Sequence, residues 1–522
     1  MAADREPEKS MHLEHFDDNA TSVNTVAGDK KDASELEAGV SETLAIQERK
    51  IRRKMDWRLL PITGALYAVS LIDRLNLPNA RLAGMDDALG MSIGNRYSIV
   101  TMVFFIGYIL CDFPANFVMR KFGPATFLGI IGLLWGVLTI AMGFTKTWIE
   151  LVLCRVIFGA LEGGLFPGVI FLLSCWYIRR EVQLRFSAFY GFGMVISGLS
   201  NLIAYGLSKS DGLGGMGGWS WIFIWEGIAT CIVAFFVLAF LVDFPDKAAR
   251  PRRFGMKPFL TADEVTVVLN RIERDRGDAT PEKMTVRLVL SKLKDWKQWE
   301  MCLLLLCNNT VAYSFAFFLP LILHGQMGYS IFTTYVLIFP PYILAAIWMV
   351  IAAFIGDRFM IRGPIIVFNA CFTIIGVTMM GYASSNSVRY AGVYLGLAPY
   401  NASIPCIFSY QHNNIVGQTK RAIGAAIMIA GGGLGGIIAS NAFQQKHAPG
   451  YRPGLNTVLA VQALTIVLIC KNFVVFTRAN RKADRGELYD LDDAQKTLVR
   501  VGTTLVEHDF ASVNRVRGRR HV

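Results

Sequence analysis

Charge is scarce in this sequence. Of 522 residues only 18% are Asp, Glu, Lys or Arg, against 53% hydrophobic residues and a mean hydropathy of +0.40. Such a balance excludes an ordinary soluble domain and fits a polytopic membrane protein. Paired cysteines are lacking too. The nine cysteines form no CxxC, and Cys111, Cys154, Cys302, Cys307 and Cys470 lie in apolar runs, so they read as small buried hydrophobes rather than disulfides or metal ligands. Ser and His show no spacing that supports catalysis, so the chain reads as a non-enzyme with neither metal nor cofactor. The first 50 residues contain no apolar signal-peptide core, and the first true span is expected to act as the insertion signal, leaving the N-terminus in the cytosol. The net charge of +12 would suit a nucleic-acid partner, but the Lys and Arg residues flank apolar spans, as at cytoplasmic loop ends, and no nucleic acid is expected.

What remains is apolar and rhythmically interrupted. About 20 apolar residues cross a hydrocarbon core of ~30 Å. Breaks at Gly, Pro and charge clusters give twelve spans, near 57–77, 97–118, 124–144, 149–177, 186–208, 221–242, 301–322, 332–355, 364–384, 390–411, 421–441 and 456–478. The expected plan is all-α: an N-terminal tail 1–56, a six-helix half 57–242, a central loop 243–298, a second six-helix half 299–478 and a tail 479–522. Short loops on the N-terminal side hold Arg120, Lys121, Arg179, Arg180, Arg185, Arg358, Arg362, Lys420 and Arg421, which by the positive-inside rule places both tails and the central loop in the cytosol. Residues 1–49 carry twelve acidic against five basic residues and read as a disordered solvated tail. In the central loop Val265, Val268, Leu269 and Ile272 recur at helical spacing, predicting a short amphipathic helix under the bundle. The sequons at Asn19, Asn308 and Asn401 fall in a cytosolic tail or inside spans.

Ionisable groups within a bilayer cost at least ~2.5 kcal/mol each, so they persist where they face a protein interior or a water-filled cavity. Here they are Asp73 and Arg74 in span 1, Asp112 in span 2, Arg155 and Glu162 in span 4 and Glu226 in span 6. Lys471 in span 12 is close enough to the cytosolic end to snorkel. Arg155 and Glu162 are seven residues apart, nearly two turns, hence on one face but ~10 Å apart along the axis, too far for a direct bridge. Counting rise from the span ends puts Asp73, Arg74 and Arg155 at one level in the outer half and Glu162 near the middle. A cluster of this kind can hold a carboxylate and a proton, or lock helices together as an ion network. Gly163, Gly164 and Pro167 beside Glu162 let helices approach or admit water to the backbone. Asp112 and Glu226, nearer span ends, suit gating or interfacial pairing.

The second half replaces charge with amides and phenols. Asn308, Asn309 and Tyr313 lie in span 7, and Tyr410, Gln411, His412, Asn413 and Asn414 end span 10; such groups hydrogen-bond a polar ligand or a neighbouring helix without committing charge. Pro320, Pro340, Pro341 and Pro405 allow bending, and GGGLGG at 431–436 is a close-packing face rather than a nucleotide loop.

Twelve spans in two halves around a cytosolic linker resemble the major facilitator superfamily, as does GDRFMIRG at 356–363, similar to its Asp-Arg loop motif. The segments LIDRLNLPNARLAGM, YILCDFPANFVMRKFGP, CRVIFGALEGGLFPGVIFLLSCWY, GWSWIFIWEG and NNIVGQTKRA resemble the fungal allantoate permease family of anion:cation symporters. This resemblance implies uptake of a small organic anion with protons at the plasma membrane by rocking of the halves, nicotinate, allantoate and pantothenate being substrates of the type, in a protein working as a monomer. By motif it implies that Arg74, Arg155 or both neutralise the anion while Glu162, with Asp73, carries the proton. Asn308, Asn309, Tyr313, Gln411 and Asn414 are then substrate-binding candidates, and Asp112, Glu226, Asp357 and Arg358 gating candidates. A proton-driven exporter of a secondary metabolite would share this fold and site, and a non-transporting nutrient sensor would usually carry longer signalling domains.

Overall fold

The computed structural model describes residues 25–251, 257–276, 296–359, 361–414, 418–448 and 450–484. Residues up to Lys54 form one unit, helical from Thr25 on, and those from Met55 form a second. The expectation of a disordered tail thus fails for 25–49. That stretch has four Ala and four Glu, contains no proline and places Lys31 one turn before Glu35, all of which favour helix.

Everything that follows lies in the second unit. The helices are α1 (Thr25–Ala80), α2 (Asp86–Leu89), α3 (Arg96–Phe122), α4 (Pro124–Met142), α5 (Trp148–Glu162), α6 (Leu165–Trp176), α7 (Arg179–Ser208), α8 (Gly218–Phe240), α9 (Ala262–Arg276), α10 (Trp296–Gly325), α11 (Ile331–Phe359), α12 (Arg362–Tyr382), α13 (Asn386–Asn414), α14 (Gln418–Ala442) and α15 (Arg452–Asp484). Counting α5 with α6 as one span, and α1 from Met55, the protein is a polytopic membrane protein of twelve spans in two six-helix halves. Among the described residues nine spans are individually long and apolar enough to cross a bilayer. The other three are α1, α3 and α13, which carry buried polar residues such as Asp73 and Asn76, Thr101 and Asp112, and Asn401 and Gln411. Leu110, Leu134, Leu153, Phe236, Phe354 and Val467 are exposed, as bilayer-facing side chains must be.

Sequence chemistry sets the ends and breaks. Thr147 and Glu150 form a reciprocal capping box that starts α5 (Glu150 N to Thr147 Oγ1, 3.3 Å), and Thr261 with Glu264 does the same for α9. The expected amphipathic helix of the central loop is α9, with Val265, Val268 and Ile272 buried and Leu269 exposed; it packs against α6. The fourth span is not the single rod expected over 149–177. It breaks at Gly163 and Gly164, because Pro167 cannot donate to the residue 163 carbonyl. Glu162 therefore sits at the lip of a helix break.

Close backbone approach explains the glycines. A Cβ on Gly159 would collide with the Phe104 carbonyl, and one on Gly163 would lie 2.6 Å from the Tyr108 carbonyl, so α5 meets α3 backbone to backbone. GGGLGG likewise brings α14 against α10 at Gly431 and Gly435, and against α3 at Gly433 and Gly436. The halves meet along two seams, α3 with α14 and α7 with α11, which leave a cleft between them.

Candidate functional site

A cavity of about 120 Å³ occupies this cleft. In the same measure one water needs ~10–15 Å³, so the space holds several waters or a small molecule. Its wall is aromatic: Tyr67, Tyr108, Tyr190, Tyr313, Tyr342 and Tyr400 contribute, with Phe166, Phe317 and Phe408. Among the described residues that line it, Arg74 supplies the one charge. Both halves take part, α1, α3, α6 and α7 from the first, α10, α11, α13 and α14 from the second.

Arg74 is held from several sides. Its Nε donates to Glu162 Oε1 at 2.7 Å, its Nη1 to the Tyr313 hydroxyl at 3.3 Å, and its guanidinium lies over the rings of Tyr108 (5.3 Å) and Phe104 (5.6 Å). Ser70, one turn before Arg74, donates to the same Glu162 oxygen. Glu162 Oε2 has no hydrogen bond, and Glu162 is wholly buried. The cavity wall is thus a cation whose counter-ion lies just behind it, out of reach of bulk solvent.

The neighbouring residue turns away. Asp73, about 100° around α1 from Arg74, accepts from Trp135 Nε1 (2.8 Å) and Thr230 Oγ1 (3.0 Å) at Oδ2 and from Asn76 Nδ2 (3.4 Å) at Oδ1. It is packed inside the N-terminal half, against α4 and α8, and does not line the cavity. Arg155 does not line it either. That side chain is 3% exposed, lies 5.6 Å from the Phe158 ring, and leaves Nε and Nη2 with no hydrogen bond. Depth counting placed Arg74 level with Arg155 and Glu162 deeper; the structure instead pairs Arg74 with Glu162, because the side chains reach along the axis.

The remaining candidates scatter. Asn309 and Tyr313 line the cavity, whereas Asn308 is buried and donates to the Tyr400 carbonyl (3.3 Å), and Gln411 is fully buried outside the lining. The side chains of Asn414 and Asp357 lie outside the described residues, Arg358 is exposed at the end of α11, and Asp112 and Glu226 are buried. Lys471 does reach outward, and it also pairs with Glu300 at 2.9 Å. Cys470 is exposed rather than buried. Ser70, Trp135, Thr230 and the tyrosines other than Tyr313 were not foreseen. Ser70 had a signal, its place one turn before Arg74 on the same face; Trp135 and Thr230 sit in ordinary apolar runs.

A second cluster joins the halves at the end of the bundle that holds the Arg81–Met85 π-helical turn, called the distal end. Arg81 bonds Asp86 (Nε to Oδ1, 3.1 Å) and reaches across to Gln445 (2.8 Å). Tyr97 donates to the Phe317 carbonyl at 3.2 Å, and Tyr335 to the Asn79 carbonyl at 3.0 Å. These bonds close the cleft distally.

Residues 64–440 match the family model of the Major Facilitator Superfamily. The chain belongs to that superfamily. This facilitator is 30% identical to the MFS-type transporter efuF of Hormonema carpetanum, over 90% of its own chain and 94% of that protein. It is 28% identical to the high-affinity nicotinic acid transporter of Saccharomyces cerevisiae, over 83% and 79% of the two chains. Among solved structures the facilitator resembles the partially occluded inward-open form of the xylose transporter XylE from E. coli, with TM-score 0.60 and 13% identity over 79% of this chain and 96% of that one. It is a membrane transporter rather than an enzyme.

Proposed function

We propose that this facilitator takes up a small organic anion together with protons, as a member of the allantoate permease branch, with Arg74 as the anion site and Glu162 as the proton site. The observation that carries this reading is the Arg74–Glu162 pair, one partner in the cavity wall and the other sealed behind it. With Glu162 ionised, the guanidinium is already neutralised and a substrate carboxylate gains little. A proton on Glu162 removes that competitor, and Arg74 can then turn its fork to the substrate, with Tyr313 and Asn309 as neutral hydrogen-bond partners. Binding of anion and proton is thereby coupled, without any direct contact between them.

The same logic governs release. When Glu162 loses its proton to the opposite side, it reclaims Arg74 and expels the anion. Alternation of access comes from rocking of the halves about the cavity, with the Arg81, Tyr97 and Tyr335 contacts as the distal closure. Residues 1–56, 243–298 and 479–522 face the cytosol in this reading, the distal end faces outward, and the membrane is the plasma membrane. The aromatic wall and the nicotinic acid transporter among the relatives favour a carboxylate on a flat ring.

Uptake of radiolabelled nicotinate and a panel of carboxylated vitamins by a transport-deficient host tests this directly. Uptake should rise as the outside is made acid and collapse with a protonophore. Uptake indifferent to both would refute proton coupling.

A further inference from the structure

Ser70, Asp73, Asn76 and Asn79 recur every third residue on α1, and all are at most 2% exposed. Each sits about 60° around α1 from the last, half a turn in all between Ser70 and Asn79, so they form a polar band that winds from Glu162 past Trp135 and Thr230 to the contact with Tyr335, and none lines the substrate cavity. At its proximal end Ser70 donates to Glu162. In its middle Asp73 holds Trp135, Thr230 and Asn76. At its distal end the Asn79 carbonyl accepts from Tyr335, yet neither side-chain atom of Asn79 has a hydrogen-bond partner, and Asn76 Oδ1 has none.

Glu226 completes the pattern. It precedes Thr230 by one turn on α8, so it shares the face that bonds Asp73. It is 5% exposed, and neither carboxyl oxygen has a hydrogen-bond partner. We propose that Glu226 is a proton carrier, and that protons enter from the distal end through Glu226 to Asp73 by a path inside the N-terminal half that the substrate does not use. The proposal rests on the proton-coupled reading above and adds to it the route.

The physical case is the orphaned polar atoms. Buried polar groups without partners in a membrane protein mark sites that waters bridge, and an ionised carboxylate left without donors there would cost several kcal/mol. Glu226 therefore rests with its proton. The ionisable groups around it are few. Asp73 faces it from α1 and the Tyr335 phenol lies near it from α11. α4 has no ionisable residue between Pro124 and Met142, α7 offers only Tyr190 and Tyr205 between Phe189 and Ser208, and Cys231 shares its own helix. Arg81, in the π-helical turn packed on α8, is turned to Asp86 and Gln445. Among the described residues no cation is thus placed to hold Glu226 ionised. Each step is a hop in which an O–H bond breaks on the donor as one forms on the acceptor: Glu226 gives its proton to the Asp73 carboxylate through water, a hydronium from the distal end then reprotonates Glu226, and Asp73 passes its proton to Glu162 by way of the Ser70 hydroxyl, which gives its own proton to Glu162 as it takes one from Asp73.

The first arm of the test needs no substrate. In full-length protein in lipid vesicles, infrared spectra should show a protonated-carboxyl stretch that shifts in heavy water and is missing from Glu226→Gln; a spectrum unchanged by the substitution would overturn the proposal. The second arm uses proteoliposomes and radiolabelled nicotinate. Glu226→Gln should lower acid-driven accumulation at least tenfold while nicotinate exchange continues, and undiminished accumulation would overturn the route. Glu226→Asp, which keeps a carboxyl, should retain a displaced band and most of the accumulation. Were that variant as inactive as Glu226→Gln, the residue would be packing rather than carrying protons. Nicotinate that is not transported by wild-type protein counts against the uptake reading, and the infrared arm still decides the proton site.

Discussion

Arg74 and Arg155 are both arginines of the interior, yet only Arg74 bonds Glu162, Nε to Oε1 at 2.7 Å, while Arg155 leaves Nε and Nη2 with no hydrogen bond. The difference follows from separation along the helix axis. Arg155 shares a helix with Glu162 and is nearly two turns away, beyond reach, whereas Arg74 comes from α1 across the cleft wall. In the proposed mechanism Arg74 is therefore the arginine whose partner changes when Glu162 takes a proton.

Glu162→Gln keeps the shape of the side chain and fixes a neutral state. With its competitor removed, Arg74 stays open to the anion on either side of the membrane. Exchange of internal for external substrate should survive, whereas accumulation driven by acid outside should fail. A Gln variant that reaches the membrane and still concentrates substrate would refute Glu162 as the proton site.

Substitution of the two arginines separates them. Arg74→Lys keeps charge but loses the bidentate fork, and a lost charge-assisted hydrogen bond of ~1.5–3 kcal/mol weakens substrate affinity by roughly 10- to 150-fold, in exchange and accumulation alike. Arg155→Lys should change affinity much less, since Arg155 lies outside the cavity lining. Competition binding on purified protein checks both, and equal losses would return Arg155 to the substrate site.

Much of this plan was legible in the chain. Apolar runs broken by Gly, Pro and charge locate the spans, and the period of Val265, Val268 and Ile272 locates α9. The ionisable residues named themselves, because each is costly in lipid. Their partners did not. Asp73 and Arg74 are adjacent, and which of them enters the cavity depends on the rotation of α1, fixed by packing against α4 and α8 at Trp135 and Thr230, residues that look like any others in an apolar run. The helix break at Gly163 was visible only as composition, and the aromatic wall is gathered from helices far apart in sequence.

The packing of α5 on α3 gives a stability prediction. A methyl group at Gly159 must push the Phe104 carbonyl away, so Gly159→Ala should destabilise by ~1–3 kcal/mol through overpacking. Gly206 on α7 has nothing within 4 Å of the same position, and its replacement by Ala should be neutral or stabilising by up to ~1 kcal/mol. Thermal unfolding of the two purified variants, followed by intrinsic fluorescence, should show opposite or clearly unequal shifts.

The distal closure can be weighed one bond at a time. Tyr335→Phe removes the hydroxyl that donates to the Asn79 carbonyl across the α1–α11 contact while leaving the ring against Tyr205, whose centroid is 5.9 Å away. A neutral hydrogen bond contributes ~0.5–1.5 kcal/mol net, so the distally closed state should lose roughly 2- to 12-fold in its equilibrium against the open one. The bond is made only when the halves meet distally, so its loss acts on that equilibrium and leaves the fold of each half alone. A single cysteine placed at Ile93, an exposed residue of the distal loop, serves as a check on reagent delivery. A second, at Ala316 in the cavity wall, reports access. Labelling at Ala316 by a membrane-impermeant thiol reagent added outside should speed up in Tyr335→Phe, in a background without other reactive thiols, while labelling at Ile93 stays constant. An unchanged rate at Ala316 would show that Arg81 and Tyr97 hold the closure without Tyr335.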